Sequence, residues 1–249
     1  MLNTPQIIEL IIVSGVTGFA AGCTGVGGVF LVPALVWGMG VGVHDAIAAV
    51  MFAFIASGGV GLWTFARRKS IRWDWAVWLF ISASPFAFLG AWVVDQVSAK
   101  VLQAILCFLT LSSGLYALLK PVPAGCDRQI TPWQLGPIGA VTGFLSALTG
   151  TGGAVVLMPI LLSMRVAPLT AIGLSTAVQL PIAITATLGN YVTGNLDLQM
   201  GLIMFFTFAI GMRTGAVTAH VLPQERLRRL VTVTLFAVGF FIGVKTFII

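Results

Sequence analysis

The sequence predicts an all-α polytopic membrane protein made of two inverted repeats, each a broken-helix, re-entrant-like hairpin followed by three transmembrane helices. Three observations carry this reading. Apolar residues make up 58% of the 249-residue chain and charged residues 8%, with a mean hydropathy of +1.05, more apolar side chain than a soluble core of this length could bury. The motif Thr24-Gly25-Val26-Gly27-Gly28 returns as Thr149-Gly150-Thr151-Gly152-Gly153, a shift of 125 residues (149 − 24). Basic residues cluster in loops that are not equivalent under that shift, so the two halves face opposite ways.

The duplication runs along nearly the whole chain. Over residues 16–28 the shift gives eight identities in 13 positions: Val16, Thr17, Gly18, Phe19, Thr24, Gly25, Gly27 and Gly28 against Val141, Thr142, Gly143, Phe144, Thr149, Gly150, Gly152 and Gly153. It also maps Gly90-Ala91 onto Gly215-Ala216 and Gly114 onto Gly239. A polar linker, residues 120–128, separates the copies, which gives repeats over 1–124 and 125–249.

Each glycine motif lies between two short apolar runs, residues 7–21 and 29–39 in the first half, 133–148 and 154–164 in the second. A helix of ~15 residues rises only ~22 Å, against a hydrocarbon core of ~30 Å. The runs therefore read as half-helices meeting at a glycine loop inside the membrane. Irregular backbone at that depth is tolerated only where protein or a wet cavity satisfies its N–H and C=O groups. Longer runs follow at residues 46–65, 75–94 and 101–119, and again at 169–188, 198–217 and 227–249, each able to span.

Charge sets the orientation. Arg67, Arg68, Lys69 and Arg72 mark one loop as cytoplasmic, and Arg226, Arg228 and Arg229 mark another. The counterpart of the first, residues 190–197, holds no base. That of the second, residues 95–100, carries one acid and one base. Opposite orientation requires an odd number of crossings per half, which three spans plus a hairpin supply. Trp63, Trp73, Trp75 and Trp78 flank the basic loop and Trp37 and Trp92 fall at the other interface, while Lys245 departs from the rule and is read as snorkelling. The location expected is the plasma (inner) membrane, multi-pass, and the net charge of +6 is explained by topology rather than by nucleic acid.

Inverted repeats with interrupted helices in matching positions point to the binding site of a secondary transporter. The second arm of each hairpin starts just after a glycine pair, so its free N–H groups and positive dipole end face the loop, a setting suited to an anion. The substrate-binding candidates are therefore Thr24, Gly25, Gly27, Gly28, Thr149, Gly150, Thr151, Gly152 and Gly153. Close helix packing is the alternative for the glycines, but consecutive glycines break helices rather than pack them. The threonines can cap the half-helices and contact a ligand at once. Pro33 and Pro159 each remove a backbone donor a turn or so inside, and the second copy has one extra residue before its proline.

Three further candidates lie in long runs. Arg213 is set well inside its span with no carboxylate nearby in sequence, which suggests an anion-attracting role, although snorkelling to the cytoplasmic end serves equally. Gln179 and Ser175 are placed to reach the second loop or to bond between helices. The seven acids all fall at or near predicted ends, which argues against a cation carrier or a relay of buried carboxylates. Cys23, Cys107 and Cys126 suggest neither a disulfide framework nor a metal cluster, and His44 and His220 sit at membrane ends. No metal, no cofactor and no catalytic constellation is expected.

At these residues the chain resembles the TauE/SafE family of sulfite and organosulfonate exporters. The likeness rests on the two Thr-Gly-x-Gly-Gly loops, each followed by an apolar run and Pro33 or Pro159, on Ala171-Ile172-Gly173-Leu174-Ser175-Thr176, and on the Gly-Ala pair in each half. His44-Asp45 stands where the second half has Leu169-Thr170, a departure from the symmetrical pattern. The resemblance implies a transporter of a small sulfur-containing anion such as sulfite, sulfoacetate or another organosulfonate, held between the loops during alternating access. An anion channel using the same loops as its filter is the alternative. The expected partners are that anion and the bilayer, with a homodimer left open.

Overall fold

The computed structural model describes residues 4–25, 27–119, 130–194, 197–223, 226, 229–230, 233 and 240. Val26, the linker 120–128, Gly239, Lys245 and most of the predicted span 227–249 lie outside the described residues. The chain runs as α1 (Thr4–Thr24), α2, α3 (Val43–Arg67), α4 (Trp73–Val93), α5 (Ala99–Leu119), α6 (Pro132–Thr149), α7 (Ala154–Ser163), α8 (Pro168–Thr193) and α9 (Leu198–Ala219). The short α2 is composite: a 3-10 turn Gly27–Phe30, one turn Leu31–Pro33 and a π turn Ala34–Gly38. Among the described residues five helices, α1, α3, α4, α8 and α9, are long and apolar enough to cross a membrane.

Local chemistry sets the ends. Thr131 and Gln134 form a capping box ahead of α6, whose first residue is Pro132, and Pro168 opens α8 in the same way. The Asp197 carboxylate accepts from the Gln199 and Met200 amides and starts α9. Left-handed glycines close two helices, Gly150 at φ 72° after α6 and Gly194 at φ 84° after α8.

The hairpin arms differ from the expected pair of half-helices. At 21 residues, α1 rises about 31 Å and can cross alone, because Gly22, Cys23 and Thr24 continue the helix beyond the apolar run. In the second half α6 has 18 residues, about 27 Å, and α7 has 10 residues, about 15 Å, so neither reaches the full ~30 Å of a hydrocarbon core.

Packing between the halves follows the 125-residue shift. A Cβ on Gly18 of α1 would lie 2.5 Å from the Phe208 carbonyl oxygen of α9; its equivalent, Gly143 of α6, is pressed on the carbonyl of Ala83, the residue equivalent to Phe208. Likewise Gly90 of α4 would meet the Phe144 oxygen at 2.5 Å, and its equivalent Gly215 is pressed on the Phe19 oxygen. Helix α1 therefore lies on α9 as α6 lies on α4, with glycine permitting backbone-to-backbone approach at both contacts.

Directions follow from the same contacts. Gly18 meets Phe208 and Gly22 meets Met212 and Ala216, so α1 and α9 run together. Phe54 packs against Phe208 in a tilted ring pair with centroids 5.3 Å apart, and Phe65 against His220 at 4.8 Å, so α3 runs with α9. By contrast α3 and α8 oppose each other: Gly58 meets Leu180, Gly61 meets Thr176, and Phe65 meets Gly173.

At the basic end, His220 ties α9 to the loop between α3 and α4. Its Nδ1–H donates to the Ala216 carbonyl at 2.7 Å and its Nε2 accepts from the Ser70 hydroxyl at 3.0 Å. Burial pushes the imidazole below its ordinary value of 6.5; the bond to Ala216 opposes this, and the Arg68 charge adds to the lowering. Because the folded state holds the neutral ring, this contact is complete above 6.5 and is lost as pH falls through and below that value. The melting temperature of the wild type is expected to drop between about pH 8 and about pH 5 more steeply than that of His220→Phe, which keeps the ring contact with Phe65. Parallel curves for the two proteins would remove His220 from the pH response.

Candidate functional site

The second glycine loop is built by the end of α6. The Thr149 hydroxyl donates to the Leu145 carbonyl at 2.7 Å and lies 3.2 Å from the Thr151 hydroxyl. The amides of Gly150 and Thr151 both close on the Ser146 carbonyl, which turns the chain back into the protein. Gly152 (φ 69°) and Gly153 (φ 99°) take left-handed backbone conformations that residues with a side chain rarely adopt, and Gly153 caps α7 without any side-chain hydrogen bond. The positive end of the α7 helix dipole therefore lies at the loop.

The loop packs on the α3/α8 crossing. A Cβ at Gly152 would sit 2.7 Å from the Phe54 ring and 3.3 Å from Gln179 Cγ. The Gln179 amide donates to the Ser57 hydroxyl across the crossing at 2.9 Å, and both side chains are buried. Ser175 is fully buried one turn earlier, its hydroxyl 4.0 Å from the Met158 sulfur of α7. These contacts bring Thr149, Gly150, Thr151, Gly152, Gly153, Ser175 and Gln179 into one region.

The first loop approaches the same crossing from its other end. The Thr24 hydroxyl donates to the Ala20 carbonyl at 2.7 Å, Gly25 takes φ 76°, and Gly27 and Gly28 open the 3-10 turn of α2. Gly25 rests on Ile172, near the start of α8, and Gly150 rests on Ile47, the equivalent residue near the start of α3. The tips are thus staggered along the crossing rather than face to face, since Ile172 and Ile47 lie near the starts of two helices that run in opposite directions. A groove of about 570 Å³ between α1 and α2, lined by Thr17, Phe30 and Trp37, and a pocket of about 10 Å³ at Val32, Ile47 and Thr149 flank this region. Neither is lined by both loops.

Arg213 stands apart. It is exposed on α9, with its guanidinium 6.0 Å from the Trp63 ring centroid, a ring that Arg67 also covers at 4.2 Å. The buried polar side chains among the described residues are all Ser, Thr, Gln or Asn; none is charged.

Sequence reasoning passed over Ser57, Thr142 and Ser146. The last two share the face of α6 that carries Thr149, at helical spacing, and that periodicity was the available signal. Ser146 Oγ lies 3.9 Å, and Thr142 Cγ2 3.6 Å, from the Cβ position of Gly153. Both hydroxyls are fully buried and have no hydrogen-bond partner. Other helix hydroxyls, such as those of Ser14, Thr17, Thr64, Thr149 and Thr176, donate to a carbonyl one turn back. The pair beside Gly153 is left open.

A bundle of apolar helices, with two hairpins bent at buried glycines and uncharged donors beside them, defines a multi-pass membrane protein. The sequence profile of the family described as Sulfite exporter TauE/SafE matches residues 10–242, and the chain belongs to that family, whose members are membrane transporters. It is similar to the probable membrane transporter protein MJ0441 of Methanocaldococcus jannaschii, 25% identical over 252 aligned residues that cover 93% of each chain. It is also similar to the probable membrane transporter protein YtnM of Bacillus subtilis, 28% identical over 153 residues, 59% of this chain and 51% of that protein. No solved structure matches.

Proposed function

We propose that this protein is a secondary transporter of the plasma membrane that moves a small sulfur-containing anion, such as sulfite, sulfoacetate or another organosulfonate, by alternating access between two inverted halves. The observation that carries the reading is the second loop, where the N-terminus of α7 follows Gly153 without a side-chain cap and the buried Ser146 hydroxyl lies 3.9 Å from the Gly153 Cβ position, with no acid among the buried side chains of the described residues. Donors without acceptor charge favour an anion and disfavour a metal cation. The antiparallel crossing of α3 and α8, equivalent helices of the two halves, supports the inverted arrangement that alternating access requires. Membership of a family described as sulfite exporters supplies the sulfur chemistry.

Purified protein in liposomes should carry sulfite or methanesulfonate down a gradient, with saturation and without unitary currents. Turnover above roughly 10³ per second, or discrete single-channel steps, would assign a pore instead of a gated carrier working on microsecond or slower motions. Absence of flux for every sulfur oxyanion tried would overturn the reading.

A further inference from the structure

Helices α3 and α9 meet towards the basic end of the bundle and carry a cluster of charge on their outer side. Gly61 of α3 makes room for Met212 of α9, whose methyl group would lie 2.6 Å from a Cβ there, so the two helices touch at that level. The next residue of α9, Arg213, is exposed, and so is Trp63, two residues further along α3, with 48% of its surface open. The guanidinium of Arg213 lies 6.0 Å from the Trp63 ring centroid and that of Arg67 lies 4.2 Å from it. Two cations from two helices therefore converge on one indole, at most the sum of those distances apart.

Neither cation has an acid to answer it. Arg72, in the loop that follows, has both kinds of partner: it covers the Trp75 ring at 3.9 Å and pairs with the Asp74 carboxylate at 3.1 Å. Arg67 and Arg213 share a ring but, among the described residues, pair with no carboxylate. Arg68 and Lys69 are exposed directly after Arg67 and add like charge. Guanidiniums held this close at the edge of hydrocarbon repel each other, and an anion beside them relieves the repulsion.

The face of α9 below Arg213 shows what lies alongside. Leu202, Phe206 and Ile210 are 47%, 63% and 68% exposed, and their spacing of four, four and then three residues puts them on the Arg213 side of the helix. In a multi-pass protein such an exposed apolar stripe meets acyl chains, which are as apolar as leucine. One turn below Trp63, Gly59 adds open space, with nothing within 4 Å of its Cβ position. Tryptophan favours the headgroup level of a bilayer, so the cluster sits where hydrocarbon gives way to phosphate. A guanidinium forks onto phosphate oxygens. The ammonium of a zwitterionic headgroup would bring a third cation to the cluster, whereas a headgroup of net negative charge complements it.

We propose that Arg67, Arg213 and Trp63 form a binding site for an anionic phospholipid, with its phosphate on the two guanidiniums and an acyl chain along the exposed stripe of α9. The site goes beyond the transport reading and holds whichever anion is carried.

The test follows thermal unfolding of the full chain in mild detergent during titration with phosphatidylglycerol, phosphatidylcholine or inorganic phosphate. Phosphatidylglycerol should raise the melting temperature of the wild type saturably, with phosphatidylcholine at least about tenfold weaker. Arg213→Gln and Arg67→Gln should each move the phosphatidylglycerol titration to about tenfold higher concentration. Arg213→Lys should recover part of that loss, since it keeps the charge and gives up the fork. Lys69→Gln removes the same charge from the same end but from outside the ring cluster, and should move the titration by about twofold or less. Should Arg213→Gln fail to fold, Arg67→Gln against Lys69→Gln carries the comparison. Equal responses to the two lipids, or equal losses in Lys69→Gln and Arg213→Gln, would reduce the cluster to diffuse attraction and overturn the site. Stabilisation by inorganic phosphate that matched phosphatidylglycerol and vanished in Arg213→Gln would assign the cluster to a soluble anion and overturn the lipid.

Discussion

Gly152→Ala is expected to abolish transport, reducing flux at least tenfold while the protein still reaches the membrane. Two independent effects act at this residue. Its φ of 69° is left-handed, which costs an alanine about 1–2 kcal/mol. Its Cβ would also sit 2.7 Å from the Phe54 ring, and that ring cannot withdraw, because it is buried and packed against the tilted Phe208 ring at 5.3 Å. The strain falls at the entrance to α7, in the loop that the proposed transport reading assigns to the anion. Two comparisons separate the effects. Gly25→Ala has a similar φ of 76° but meets nothing closer than 3.5 Å, so it should lose much less. Adding Phe54→Leu to Gly152→Ala relieves the collision alone and should recover part of the flux. Wild-type flux from Gly152→Ala would detach the loop from the mechanism.

The second large effect concerns stability. Gly215→Val should destabilise the protein by about 2–3 kcal/mol or more, as should Gly90→Val at the equivalent contact. In each case the new side chain points at a backbone carbonyl, Phe19 for Gly215 and Phe144 for Gly90, which no rotamer change can move aside. The helices would have to separate, and lipid would replace a contact that spans both halves. Thermal unfolding in detergent, with size-exclusion chromatography, measures the loss. Gly136→Ala is the control, since nothing lies within 4 Å of its Cβ position. If Gly215→Val and Gly136→Ala melted together, close approach of α1 and α9 would not be what joins the halves.

Much of the fold was legible because a bilayer enforces simple rules. The expected spans at 46–65, 75–94, 169–188 and 198–217 match α3, α4, α8 and α9 to within a few residues. Charged or proline-bearing loops bound those runs, and a helix cannot leave the hydrocarbon region early without exposing its backbone. The hairpins were less legible. The apolar run of α1 stops short of its helix end, because Gly22, Cys23 and Thr24 are weakly hydrophobic yet remain helical against α9. Nothing in residues 29–39 announces a π turn.

The site shows the same division. The glycine loops declared themselves by repetition, and Gln179 by being a polar residue in an apolar run. Arg213 has the same kind of signature, yet it lies on the outward face beside Trp63. Thr142 and Ser146 have almost none, since a hydroxyl in an apolar helix usually bonds its own backbone.

From the order of residues alone come the membrane setting, the duplication, the sidedness of the basic loops and the two glycine breaks, because each is a property of composition or spacing. Which face of each helix meets protein came only with the packed chain: lipid and protein interior are alike apolar, so hydropathy does not distinguish them. That choice turned Arg213 outward and staggered the loops along the α3/α8 crossing. It also left Thr142 and Ser146 as unbonded hydroxyls beside Gly153.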